Sequence, residues 1–171
     1  MAAIYFNPDE NPSFQDLVDS AFFVKLNVED QIKRHKRTIT PSSIEWWKKQ
    51  CLNVKTKSVT PSPNDVLIED GIEMMREWKN QFPNNKDCWV WARGNLDQLV
   101  IDSLEERLNI EPVFHYANWR DVRTAVDFLT GSKKGYCEVD YPGFESYIVT
   151  KHDPVHDCAY DIMMLLYGKQ K

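Results

Sequence analysis

The sequence predicts an α/β domain in which a mixed sheet is flanked by helices, and three observations carry that expectation. Short β-prone runs at Ala2 to Phe6, Ser20 to Leu26 and Cys88 to Ala92 alternate with stretches whose apolar residues recur at helical spacing. The run at 88–92 ends in Arg93-Gly94-Asn95 and passes directly into a helical pattern, the strand, turn and helix of an α/β unit. A chain of 171 residues is long enough to bury one core, so residues 1–171 are expected to form a single domain.

Taken in order, Ala2 to Phe6 stops at the turn signal Asn7-Pro8-Asp9, and Ser20 to Leu26 is expected beside it in a hairpin or meander. A basic loop leads to Pro41-Ser42-Ser43-Ile44-Glu45-Trp46-Trp47, where a serine cap opens a short helix. Thr60-Pro61-Ser62-Pro63 is a linker too short to divide domains. Ile68, Ile72, Met75 and Trp78 then mark a helix that runs up to Phe82-Pro83. Cys88 to Ala92 reads as a buried strand, and Leu96, Leu99, Val100, Leu104 and Leu108 form the apolar face of the next helix. A further strand is expected at Pro112 to His115, a helix from about Trp119 to Leu129, and a loop from Gly131 to Gly143. The last helix is the best marked. Asp153 suits its cap, Pro154 its first position, and Cys158, Ala159, Ile162, Met163 and Leu166 its apolar stripe.

Composition narrows the function classes. The longest apolar runs, such as Ala21-Phe22-Phe23-Val24 and Met163-Met164-Leu165-Leu166, fall far short of the roughly 20 residues that span a bilayer. No secretory signal opens the chain, so a cytoplasmic setting is the expectation. Cys51, Cys88, Cys137 and Cys158 are widely spaced, without a C-x-x-C pair, and read as reduced thiols. The net charge is −5, yet Lys33 to Lys57 holds eight Lys or Arg against Glu45 alone, a segment of +7 on a remainder of −12. Such a patch would hold a phosphate backbone while the acidic body gathers cations. Its plainer reading is a solvated loop.

The segment richest in chemistry runs from His152 through Asp153, His156 and Asp157 to Asp161. Asp157 and Asp161 are four apart and project from one face of a helix, with His152 just before it. Carboxylates hold divalent metal, the metal acidifies a bound water, and a nearby histidine takes the proton, which suits phosphodiester cleavage. Each residue also has a plainer role: Asp153 as a helix cap, Asp161 as a solvated helix residue, His156 as a residue inside the helix. Asp97 falls at the carboxyl end of a strand, where functional side chains collect in α/β folds.

His152 followed five positions later by Asp157 matches H-x-x-x-x-D, the third motif of the DEDDh branch of the DnaQ-like 3′-to-5′ exonucleases. Asp97, in Arg93-Gly94-Asn95-Leu96-Asp97, resembles the second-motif aspartate. The resemblance, to the exonuclease A group of phages within that family, continues through Ser43-Ile44-Glu45-Trp46-Trp47-Lys48, Arg120-Asp121-Val122-Arg123-Thr124 and His156-Asp157-Cys158 with Asp161 behind. These runs occur in order across nearly the whole chain.

The resemblance implies a ribonuclease H-like sheet and removal of nucleotides from 3′ ends of single-stranded DNA or RNA, with two Mg2+ or Mn2+ ions, in a bacterial cytoplasm. It implies His152 as general base, Asp157 as direct metal ligand and Asp97 as the carboxylate supporting the second metal. Asp121 and Arg123 would lie near the cleft and meet substrate, or else form an internal salt bridge that positions a helix. Trp46 and Trp47 offer a base-stacking face, worth roughly 1–3 kcal/mol per base, or pack at least one ring into the core.

The family's first motif, a D-x-E on the first strand, has no counterpart here, because Asp9-Glu10 follows Asn7-Pro8 in a turn. The expectation is that Ala2 to Phe6 corresponds to the family's second strand and that the first, with its carboxylate bridging two metals, is missing. A catalytically inactive nucleic-acid-binding protein using the Lys33 to Lys57 patch is therefore the alternative reading. An HD-type phosphohydrolase with His152-Asp153 and His156-Asp157 as ligands ranks last, since that fold is all helical.

Overall fold

The computed structural model describes residues 1–83, 85 and 87–170. β1 (Ala2–Ala3) pairs antiparallel with β2 (Phe22–Phe23), as the two β-prone runs predict. Between them lies an unpredicted helix, α1 (Phe14–Asp19). Its capping box explains it: Ser13 Oγ accepts from the Asp16 N–H at 3.2 Å, and the Asp16 carboxylate accepts from the Ser13 N–H at 3.0 Å.

The basic loop, residues 34–40, leads into the helix expected at Pro41, but it is flanked by two helices that were not expected. α2 (Val28–Lys33) is capped by Asn27, and α3 (Pro41–Lys48) is capped by Thr40, whose side chain accepts from Ser43 N–H, so the serines lie inside the helix. α4 (Leu52–Ser58) follows. Many of these charges are already used: Lys33 pairs with Glu29, Arg34 with Asp30 and Glu69, Lys48 with Glu45, and Lys57 with Asp153. Among the described residues Lys36, Arg37, Lys49 and Lys55 have no ion-pair partner.

α5 (Ile68–Asn80) and α6 (Leu96–Leu108) form as their periodicity predicts. β3 (Val90–Ala92) lies between them and pairs parallel with β4 (Trp119–Asp121). The strand expected at 112–115 is therefore displaced to 119–121. Val113 is buried, but its N–H donates to Glu105 Oε1 at 2.6 Å and its carbonyl accepts from Lys79 Nζ at 2.6 Å, so side chains take the place of a ladder. α7 (Val122–Thr130) starts after β4, three residues later than expected, because the Asp121 carboxylate caps it through Thr124 N–H at 2.6 Å.

α8 (Pro154–Tyr167) is the organising element. Ala159, Ile162 and Met163 pack with Phe14 and Leu17 of α1, while Met164 packs with Val122 and Val126 of α7. Burying each such large apolar side chain is worth about 1.5–3 kcal/mol. A third cluster, Ile68, Ile72, Met75, Leu104 and Val113, joins α5 to α6.

Among the described residues the strands form two two-stranded sheets, one antiparallel and one parallel, in place of the single mixed sheet that was expected. Both lean on α8: Cys158 Sγ lies 3.7 Å from the Ala2 carbonyl, and Trp91 of β3 packs on the cluster containing Met164. No described helix is long and apolar enough to cross a membrane.

Candidate active site

β1, β3, the first half of α6 and the first half of α8 enclose a groove of about 1590 Å³. Leu96, Leu99 and Val100, predicted as core, are 68%, 56% and 41% exposed, and Leu96 and Val100 line this groove. Only the C-terminal half of that apolar face is buried, at Leu104.

Three predicted site residues, His152, Asp97 and Asp157, line the groove together with Trp46 and Trp47. His152 has a left-handed backbone, φ 65°, and donates its N–H to Asp157 Oδ1 at 3.2 Å. A non-glycine residue there costs on the order of 1–3 kcal/mol and persists only where its surroundings hold it. Asp153 acts as the predicted cap, accepting from Val155 N–H at 3.0 Å and His156 N–H at 3.4 Å. Asp97 is placed by the turn before α6, where Gly94 at φ 81° supplies a backbone that other residues rarely adopt. The Gly94 N–H donates to Asp121 Oδ2 at 2.7 Å, tying that turn to β4.

Electrostatics separates the carboxylates. Asp97 and Asp157 are open to water, yet each sits in a crowded concavity whose desolvation raises its carboxyl above the ordinary value, and neither has an ion-pair partner among the described residues. Asp161 is also raised by burial, against the opposing pull of Arg93. Arg93 Nε donates to both Asp161 oxygens at 2.9 and 3.2 Å, and the same guanidinium stacks 4.1 Å from the Tyr136 ring centroid. Cys158 lies amid Asp161, Asp97 and Asp157, and burial first, then their charge, pushes its thiol up to about 12.

The remaining candidates divide. His156 is structural: its Nδ1 accepts from Thr150 N–H at 3.0 Å and its ring meets Phe14 edge to face. Asp121 forms no salt bridge with Arg123 among the described residues; both its oxygens accept backbone N–H groups. Burial pushes its carboxyl up, but those hydrogen bonds outweigh burial and hold it below the usual range. Arg123 is exposed on α7. Neither Trp46 nor Trp47 is buried, which corrects the core-packing alternative; Trp46 is 41% exposed, with its ring centroid 4.8 Å from that of His152.

The residues present fit a divalent cation in part. Asp97 and Asp157 each lack an ion-pair partner among the described residues and line the same groove, and carboxylate oxygens are the donors that a hard divalent cation takes. Asp161 is withheld by Arg93, and no described carboxylate converges with them to bridge a second ion. Among the described residues, the acid and histidine group that does converge is Asp30, His35 and Glu69, but Arg34 already occupies it, bonding Asp30 and donating to Glu69 at 2.7 Å.

Sequence reasoning missed Lys57 and Arg93 as supports of the site. Lys57 meets Asp153 across 96 residues, which leaves no local signal. Arg93 had one, its place at the end of β3 four residues before Asp97.

Comparison with known proteins defines the class and the family. The model of the 3′-5′ exoribonuclease Rv2179c-like domain matches residues 1–167. An exodeoxyribonuclease of Enterobacteria phage T4 is 32% identical over 189 aligned residues, covering 98% of this chain and 80% of the phage protein. No solved structure matches. The chain belongs to the 3′-5′ exoribonuclease Rv2179c-like family and is a relative of the DnaQ-like exonucleases.

Proposed function

We propose that this chain is a divalent-metal-dependent 3′-to-5′ exonuclease that acts as one domain on single-stranded nucleic acid, DNA before RNA, in a bacterial cytoplasm. The observation that carries this reading is that Asp97 and Asp157, without ion-pair partners among the described residues, line one groove with His152.

Asp157 and Asp97 would hold Mg2+ or Mn2+, which would supply Lewis acidity and lower the pKa of a bound water. His152, exposed to solvent, would accept the proton of the attacking water as its oxygen bonds to phosphorus and the P–O3′ bond breaks, the departing 3′ oxygen taking its proton from solvent. Trp46 and Trp47 stack terminal bases. Lys49, Lys55 and Arg123 bind phosphates, and Asp121 holds the Gly94 turn that places Asp97.

A two-ion site needs a further carboxylate beside Asp97 and Asp157, and among the described residues none converges with them, Asp161 being held by Arg93. β1 and β3 are each paired along one edge and both line the groove, which leaves room there for an additional acidic strand. That observation keeps the second reading, nucleic-acid binding without catalysis, in view for the 171 residues alone. The test compares Mg2+-dependent release of nucleotides from a single strand by the chain as given and by the chain preceded by a D-x-E strand, each with and without His152→Ala. Activity in either form, abolished by His152→Ala, supports the reading. Activity indifferent to His152, or none in either form, overturns it. Metal-independent, salt-sensitive binding in the absence of cleavage would support the second reading instead.

A further inference from the structure

α3 and α4 form an arm that is lightly anchored in the core. α3 contributes no buried residue and α4 contributes Val54. The arm nevertheless grips the start of α8 at two points. Lys57 Nζ donates to both oxygens of Asp153, at 2.7 and 2.8 Å, and the Trp46 ring stands edge to face with the His152 ring at 4.8 Å. Between those two contacts runs the backbone of His152 and Asp153, where His152 holds its left-handed conformation.

The Lys57 contact is built to hold. The Asp153 side chain is 4% exposed, so its charge needs a partner, and Lys57 supplies it. Lys57 is fixed in turn, its Nζ lying 5.2 Å over the Phe23 ring. Behind it, Lys25 donates to the carbonyls of Thr56 at 3.0 Å and of Thr60, and pairs with Asp65, which fastens the end of α4.

From this geometry we propose that Lys57 and Trp46 are positioning residues that clamp His152 over the groove, Lys57 through the Asp153 backbone and Trp46 through the ring itself. The proposal rests on the reading of His152 as the proton acceptor. The α3–α4 arm, which also carries Lys49 and Lys55, without ion-pair partners among the described residues, thereby joins phosphate contact to alignment of the base. Misplacing such a group by about 1 Å costs on the order of 100-fold in rate.

The test uses 13C-histidine protein, whose four histidines are His35, His115, His152 and His156. The His152 signal is assigned by its loss in His152→Gln. At fixed pH, Trp46→Leu removes the ring-current displacement of that signal. Lys57→Met moves it in the same direction, and Lys57→Arg restores it. Asp153→Asn breaks the ion pair while keeping a good helix cap, so it carries the test if Lys57→Met does not fold, with the same displacement expected. A His152 signal that ignores these changes, or a Lys57→Arg protein that behaves as Lys57→Met, overturns the clamp. In turnover, Lys57→Met lowers kcat roughly tenfold or more with KM within about twofold; a rise in KM alone overturns it. The resonance needs no catalysis, so a chain without nuclease activity would sink the functional reading and leave the clamp standing or falling on its own.

Discussion

Arg93 and Asp161, 68 residues apart, are joined by three hydrogen bonds, two from Nε and one from Nη2. Arg93 also donates from Nη1 to the Gly135 carbonyl at 2.7 Å, so one guanidinium fastens the end of β3, the loop after α7 and the middle of α8. Arg93→Ala is expected to destabilise the protein by roughly 2–3 kcal/mol, since charged hydrogen bonds are lost and Asp161 is left half-buried and unpaired. Urea denaturation would show a lower midpoint at unchanged slope; an unchanged midpoint would contradict this.

The carboxylates of the groove should show the opposite sign. Desolvation raises Asp97 and Asp157 above their ordinary value of 3.8. A carboxyl raised on folding stabilises the folded state when protonated, and that contribution is lost as pH rises through the folded pKa. At pH 7 both are ionised at a cost, so Asp97→Asn and Asp157→Asn raise Tm there. The gain fades below about pH 4, where the parent is protonated too. Mn2+ raises the Tm of the parent and leaves the double variant unmoved.

Asp153 behaves in the ordinary way. Burial pushes its carboxyl up, but Lys57 and the N–H groups of His156 and Val155 outweigh burial and hold it below 3.8. Its contribution is full above the unfolded pKa and lost as pH falls through the lowered folded value. Asp153→Ala is expected to cost about 1–2 kcal/mol at pH 7, read from thermal unfolding.

Trp46 should matter for binding more than for folding. With its ring 41% exposed at the groove wall, Trp46→Ala is expected to weaken single-strand affinity by about 1–3 kcal/mol. Tm should move little. Fluorescence anisotropy with a labelled oligonucleotide in EDTA checks this without turnover.

Binding should also weaken with salt. If three or four of Lys36, Arg37, Lys49 and Lys55 meet phosphates, the slope of log affinity against log salt is roughly −2 to −3. A flat profile would remove the basic arm from the interface.

Local signals made much of this molecule legible. α8 announced itself through Asp153, Pro154 and a clean apolar stripe, and α5 through the spacing of Ile68, Ile72 and Met75. His152, Asp97 and Asp157 were legible as motif residues and do share a groove. What escaped depends on distant partners. Val113 forms no strand because Glu105 and Lys79 take its polar groups, and Lys57 and Arg93 find their carboxylates 96 and 68 residues away. Helices as short as α1 and α2 rest on capping side chains and gave too few turns for a periodic pattern.

The most direct test of the central claim is polarity. A single strand labelled at its 5′ end is incubated with Mn2+ and the protein, with a D-x-E strand added ahead of residue 1 in one arm, and the products are sized over time. The account predicts a ladder shortening one nucleotide at a time from the 3′ end, absent in Asp157→Asn and in EDTA. Immediate release of the 5′ label as a mononucleotide, or a ladder that survives Asp157→Asn, would contradict it.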